Sequence, residues 1–280
     1  AEHGEERGRA IVTYLQFAID KGLDYNSRQT MWHASRGVIA HTFTRHDYSH
    51  KWTFGELVFS GSASGAAWGL NQVLFAYEGI CELLPHNNNG VKVYCGTAAD
   101  IQLPDSNVDL ICMDPPYYNN VQYAELSDYF YVWQRRTLSD LYPDIFRRRL
   151  TNKADEAVAN PHRDGSAQKA KKTYEQLMKE IFSECRRVLK DDGILTVMFT
   201  HKTQEAWEAL TQSLIESDFT ITSCVPVESE PQRDIHHQGM AAPVSSIFIT
   251  CRKRDAANAT PSTWSGFGGT GVAQRVREAV

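Results

Sequence analysis

The sequence predicts an α/β protein whose sheet is mostly parallel and ends on an antiparallel last strand. From Val91 onward short apolar runs alternate with longer amphipathic segments, the pattern that crossover units produce. The last two apolar runs follow one another with no helix between them, so they are expected to pair antiparallel at one sheet edge.

The elements follow in order. Residues 6–22 (ERGRAIVTYLQFAIDKG) place Ile11, Val12, Leu15, Ala18 and Ile19 on one helical face, and Gly22 closes the pattern as a C-cap would. Residues 25–60 are rich in His and aromatics without a clean period. The stretch Gly61 to Gly69 leads into an apolar helical run from Asn71 to Leu84, and Asn87, Asn88, Asn89 and Gly90 make a turn. Residues 1–90 are thus expected to form a helical and irregular portion packed on the sheet. The core, 91–254, begins with the strand VKVYCG (91–96) and continues with VDLICMD (108–114) and a helix over 124–136. From Thr173 to Lys190 a stripe of Leu177, Ile181, Phe182, Cys185, Val188 and Leu189 predicts a helix, with Gly193 as the stop before the strand GILTVMFT. A helix from Gln204 to Glu216 turns Trp207, Leu210, Leu214 and Ile215 inward, and the strands FTITSCVPV and VSSIFITCRKR follow. Residues 255–280 read as a linker running into a piece of helix at Val272 to Val280.

Composition narrows the class. The chain has 280 residues, 42% of them apolar and 22% charged, which suits a globular domain with a sizeable core. No run of about 18 apolar residues exists to span a bilayer, and the polar opening AEHGEERGR lacks the apolar centre of an export signal. A cytoplasmic protein without a membrane partner is expected. The six cysteines are scattered without a C-x-x-C pair, so they read as buried free thiols, and no metal site is expected. The net charge of −5 argues against a surface that coats nucleic acid throughout, yet residues 135–172 hold ten basic side chains against five acidic ones. By itself such a run is most simply a solvated face.

The chemistry concentrates in Asp114, Pro115, Pro116 and Tyr117, directly after the apolar run VDLICM. The carboxyl end of a parallel strand is where open α/β sheets place their ligand crevice. Two prolines fix the backbone and present carbonyls without N–H groups, so the turn offers acceptors and an aromatic ring in a rigid frame. An exocyclic base amine fits that frame. The N6 amine of adenine can donate to the Asp114 carboxylate and the Pro115 carbonyl, leaving its lone pair aimed at an incoming methyl group. Tyr117 can stack on the flipped base for about 1–3 kcal/mol. Direct displacement at a sulfonium methyl then needs neither a metal nor a covalent enzyme intermediate, and positioning supplies most of the catalysis. A proline-stiffened strand exit is the plainer reading of the tetrapeptide alone; the strand before it and the helix, strand, helix, strand, strand order after it favour the catalytic one.

The chain resembles the adenine-specific DNA methylase homologues that contain the domain of unknown function 1156, through RAIVTYLQFAIDKGLDYNS, the Trp32 and Arg36 region, MDPPYYNNVQYAELSDYFYVWQRR, RVLKDDGILTVMFTHK with EAW, and IFITCRKR. The resemblance implies a Rossmann-like methyltransferase sheet, S-adenosylmethionine as donor, and adenine in DNA as target. For some relatives it also implies a place in restriction or antiphage defence with other subunits. In that family a glycine-rich cofactor loop and a ribose-holding acid lie upstream of D-P-P-Y. Neither is found here, so the sheet is expected to lack its first strand and that loop. The Gly-rich stretches 57–69 and 265–271 lack the strand, loop and helix frame and read as turn and linker.

Further candidates surround the motif. Gly96 and Thr97 occupy the turn where such enzymes place an acid beside the cofactor adenine, and Asp100 is the acid nearest to it. His201 follows GILTVMFT, at the same sheet end as Asp114, where it either lines the pocket or is a polar strand exit. Tyr118, Asn119, Asn120 and Tyr123 are expected either to contact the target nucleotide or to fold the loop back, and Arg147, Arg148 and Arg149 to contact its phosphates, which gives the basic run a role. His236 and His237 read as plain loop. Adenine N6 in DNA is the favoured target. RNA, guanine N2 and cytosine N4 remain open, as does a catalytically incomplete nucleic-acid-binding module of a larger complex.

Overall fold

The computed structural model describes residues 4–46, 48, 50–61, 64–84, 90–227 and 246–255. The expected turn at 87–89, His236, His237 and the tail beyond 255 lie outside those residues. Two long helices, α1 (Glu5–Leu23) and α2 (Ala66–Leu83), pack on each other. Gly69 lets them close, since a Cβ there would meet the Ala18 carbonyl at 2.8 Å. Between them lies an antiparallel hairpin of β1 (Met31–His33) and β2 (Val38–Ala40), which the aperiodic sequence of this region did not announce. Its turn carries Gly37 at φ 63°, a conformation glycine reaches without steric cost.

The remaining elements are β3 (Val108–Met113), α3 (Tyr123–Leu138), α4 (Pro161–Asp164), α5 (Ala167–Val188), β4 (Leu189–Phe199), α6 (Gln204–Glu216), β5 (Phe219–Val227) and β6 (Ser246–Lys253). The sheet order is β3-β4-β6-β5. β3 and β4 are parallel, and β6 is antiparallel to both β4 and β5. Three strands therefore run one way, and the last in sequence runs against them. It inserts between β4 and β5, which leaves β5 at the edge. The mixed sheet with its helices is compatible with a methyltransferase-like fold.

α5 shows why this half holds together. Ala170, Tyr174, Met178, Phe182, Cys185 and Val188 recur every three or four residues and are all buried. The helix starts six residues before the expected Thr173, because Ser166 caps it by accepting the Lys169 N–H at 3.2 Å. Tyr174, Phe182, Phe199, Leu210, Leu214 and Phe219 form the centre of one core shared by α5, α6 and β4 to β6. Burial drives that association at roughly 25 cal/mol per Å² of apolar surface removed from water.

Several expectations fail in the other half, where apolar side chains are left open by the described residues. Val91 to Gly96 is not a strand but an exposed segment without sheet pairing, with Val93 at 92% exposure. β3 pairs only with β4, so its outer edge is unpaired among the described residues, and Leu110 and Cys112 on it are exposed. α1 turns its polar side to α3. Gln16 donates to Asp20 at 2.8 Å and accepts from Thr137 at 2.5 Å, while Gln134 donates to Asp20 at 2.7 Å. Ile11, Val12, Leu15 and Ile19, expected to be the packing face, are exposed, and only Ala18 of that set is buried.

Smaller corrections have local causes. Gly22 is not the cap of α1, which runs on to Leu23; it is glycine because a Cβ would lie 2.3 Å from the Phe59 ring. Gly193 is not a stop before β4 but lies inside it, where a Cβ would meet Leu189 at 2.7 Å; there the β3 register jumps, with Val108 opposite Leu189 and Leu110 opposite Ile194. Ile215 points outward. Of the six cysteines expected to be buried, Cys185 and Cys251 are, whereas Cys81, Cys95, Cys112 and Cys224 are exposed.

Candidate active site at the exit of the third strand

β3 ends at Met113, so Asp114 opens the loop at the carboxyl end of the parallel pair. Its carboxylate is exposed and has no hydrogen-bond partner among the described residues. It faces Tyr123, the first residue of α3, whose phenol is pushed up first by burial and then by the Asp114 and Glu156 carboxylates. Pro115 is buried, and its carbonyl accepts no hydrogen bond among the described residues. The Pro116 carbonyl is differently placed, because it accepts both the Tyr118 N–H at 2.9 Å and the Tyr174 hydroxyl at 3.2 Å. The two free acceptors at this turn are thus Asp114 and Pro115.

The loop is held from below. Tyr118 adopts φ 55°, a left-handed conformation that costs a non-glycine residue of order 1 kcal/mol and persists where the surroundings enforce it. Its carbonyl accepts the Ala159 N–H at 2.9 Å, and its ring meets Tyr174 edge to face at 5.1 Å. Its phenol lies against Glu205 and is pushed up to about 12, chiefly by burial. At 5% exposure Tyr118 is a wall of the loop, the folded-back arrangement that the sequence left open beside a nucleotide contact. Tyr117 is half-buried and meets the Phe199 ring edge to face at 5.4 Å, so Phe199 at the end of β4 fixes its ring plane.

His201 and Asn119 are brought together with this loop. The His201 Nε2 lies 3.2 Å from the Asn119 Oδ1, and its ring stands 5.8 Å from that of Tyr118. The Thr203 N–H donates to Nδ1 at 3.1 Å, and burial lowers the pKa of the imidazole below its ordinary 6.5. Gln122, which sequence reading passed over, adds a buried Oε1 with no hydrogen-bond partner among the described residues. An unsatisfied buried acceptor costs about 1–3 kcal/mol, so it marks a place for a donor. Its proximity to D-P-P-Y was the signal that could have found it.

The other predicted residues stand apart. Gly96, Thr97 and Asp100 form an exposed turn bonded within itself, with Ala99 N–H to Thr97 Oγ1 at 3.2 Å and Asp100 N–H to the Thr97 carbonyl at 3.2 Å. The chain after it is tied to the amino end of the strands, where Arg187 donates to the Ile101 and Leu103 carbonyls and pairs with Asp105 and Glu184. Arg147, Arg148 and Arg149 are exposed, without ion-pair partners among the described residues. Their loop is nevertheless anchored, since Tyr131 donates to the Arg148 carbonyl at 2.8 Å and Phe146 is buried beneath it. No group of three or more His, Cys, Asp and Glu among the described residues could hold a metal ion, and no described helix is long and apolar enough to cross a membrane.

This strand exit presents two acceptors, the Asp114 carboxylate and the Pro115 carbonyl, that take no hydrogen bond among the described residues. Residues 108–238 match the family model described as DNA methylase, a span that starts with β3 and covers the loop, α3, α5, β4, α6 and β5. The match supports an N6/N4 DNA methyltransferase family, in which S-adenosylmethionine-dependent methylation falls on adenine N6 or cytosine N4 in DNA. No curated protein matches the chain.

Proposed function

We propose that the chain supplies the base-binding and catalytic half of a DNA methyltransferase acting on adenine N6, of the adenine-specific group that contains the domain of unknown function 1156. The observation that carries this is the pair of free acceptors, the Asp114 carboxylate and the Pro115 carbonyl, at the carboxyl end of a parallel strand. Two acceptors take the two amine protons and turn the nitrogen lone pair outward, and Tyr117, braced by Phe199, offers a ring to the extruded base. Arg147, Arg148 and Arg149 contact phosphates; their unpaired, exposed guanidiniums support that role, and DNA is favoured over RNA by the family match. Gly96, Thr97 and Asp100 would reach the cofactor pocket only with the 91–100 segment repositioned, since the described chain after them is tied to the amino end of the strands, opposite Asp114. The rest of the pocket is contributed by a segment that pairs along the open edge of β3, which the exposed Leu110 and Cys112 support.

The test is nucleoside mass spectrometry on DNA and RNA from a methylation-deficient host expressing the chain with and without its flanking coding sequence, beside Asp114→Ala. N6-methyladenine in DNA that disappears in the variant is the expected result. N4-methylcytosine in its place would move the target, and methylated RNA alone would overturn the DNA assignment. The exposed edge of β3 favours one second reading, a nucleic-acid-binding module without activity of its own. Absence of any methylated base from every expression product would decide for it.

A further inference from the structure

The loop around Asp114 accounts for the amine of the target base but leaves its ring nitrogen unread. The side chains of His201 and Asn119 settle which group does the reading. A backbone N–H can only donate, so the Thr203 N–H at 3.1 Å requires the His201 Nδ1 to be an unprotonated acceptor. The remaining proton of the neutral ring is then on Nε2, which donates across 3.2 Å to the Asn119 Oδ1. With its oxygen turned to the imidazole, exposed Asn119 presents its Nδ2 amide, a donor without a partner among the described residues. Trp207 holds the same ring from the backbone, donating to the His201 carbonyl at 3.0 Å.

We infer that His201 is a positioning residue that orients Asn119 as a hydrogen-bond donor to the ring nitrogen beside the target amine. This rests on the methyltransferase reading for its place in a reaction, though not for its chemistry. Adenine N1 and cytosine N3 are both acceptors adjacent to an exocyclic amine. A site with two acceptors for the amine and one donor for its neighbour therefore matches both bases, and uracil, whose N3 carries a proton beside a carbonyl, is rejected. A second proton on the imidazole would set Nδ1–H against the Thr203 N–H and release the ring. Lys202 adjoins the ring and Tyr118 stands 5.8 Å from it; Glu205 and Glu175 act on that phenol, and Lys171 lies 3.6 Å from Glu205.

The test compares binding of DNA oligonucleotides containing adenine or 1-deazaadenine, and cytosine or 3-deazacytosine, in which the ring acceptor is replaced by C–H. The native chain is expected to prefer one natural base over its deaza analogue by about tenfold in Kd. His201→Ala and Asn119→Ala should each abolish that preference, and the double variant should do no more than either alone. His201→Gln, whose Nε2 amide still donates but does not titrate, should keep the preference and lose its decline at acid pH. A native chain with no preference, or a His201→Ala chain that retains it with an unchanged melting transition, would overturn the inference. Imidazole nitrogen resonances give a second decision, since an Nδ1–H tautomer also overturns it. Both readouts are independent of methyl transfer, so loss of the enzymatic reading with retained discrimination would leave the positioning role standing.

Discussion

β3 and β4 are adjacent parallel strands of similar apolar character, yet they live in different surroundings. In β4 Leu195, Val197 and Phe199 are fully buried under the side chains of α5 and α6. One strand away, Leu110 of β3 is 55% exposed, and the apolar sides of α1, α2 and the 91–94 segment are open as well. Composition does not distinguish these regions; coverage does. An apolar period states what a segment can bury, whereas the identity of the covering partner is a property of the whole assembly. The Asp114 loop follows β3, and its Tyr117 and Tyr118 rings pack on Phe199 and Tyr174 of the covered region.

The largest effect separates chemistry from stability. Asp114→Ala should lower methyl transfer by about 100-fold or more while leaving the urea midpoint unchanged, because the carboxylate is exposed and holds no other group. A large loss of stability would mean that the loop depends on Asp114 in a way its contacts do not show. Next, Phe182→Ala in the covered region should cost about 3–5 kcal/mol in chemical denaturation. Phe75→Ala on α2 should stay within about 0.5 kcal/mol, since that ring is 75% exposed. Equal costs would break the contrast between the two regions.

The thiols sharpen it further. Cys81, Cys95, Cys112 and Cys224 should react rapidly with an aromatic disulfide reagent, and Cys185 and Cys251 only on unfolding. Burial holds the last two near a pKa of about 12, so mild alkali should not expose them as thiolates. Adding the flanking segment should protect Cys112 and leave Cys224 reactive, which mass spectrometry of the labelled peptides would read. The smallest effect concerns Glu184, held below the usual carboxylate range first by its hydrogen bond from Arg187. Its folded pKa is depressed, so its contribution is present above about pH 4.5, the unfolded value, and is lost as pH falls through the folded one. The 101–105 segment should therefore exchange its amide hydrogens faster at acid pH, before the core does.

How much of this was legible follows the same division. The helices α5 and α6, the strand β4 and the antiparallel pair β5 and β6 are written in their periods because each finds its partner nearby. D-P-P-Y stood out in the sequence because an acid after an apolar run and two prolines has few structural uses. The sequence left open whether Tyr118 would meet a nucleotide or fold the loop back; its φ of 55° and its edge-to-face contact with Tyr174 belong to the second. Nor could it show that α1 would face α3 through Gln16 and Asp20, because a network of buried hydrogen bonds leaves no periodic trace. The pairing of His201 with Asn119 spans 82 positions and follows from the parallel register of β3 and β4.

α5 passes into β4 without a connecting loop, Val188 ending one and Leu189 beginning the other. That junction makes chain length a fixed quantity there. One residue inserted between them would exchange the two faces of β4, turning Leu195, Val197 and Phe199 away from the helices, and would slide the strand by about 3.3 Å past β3. His201, carried at the far end, would leave Asn119 by the same step. Insertions and deletions among related chains should therefore collect in 139–166, where the connection between α3 and α5 has slack, and be absent at 188–189.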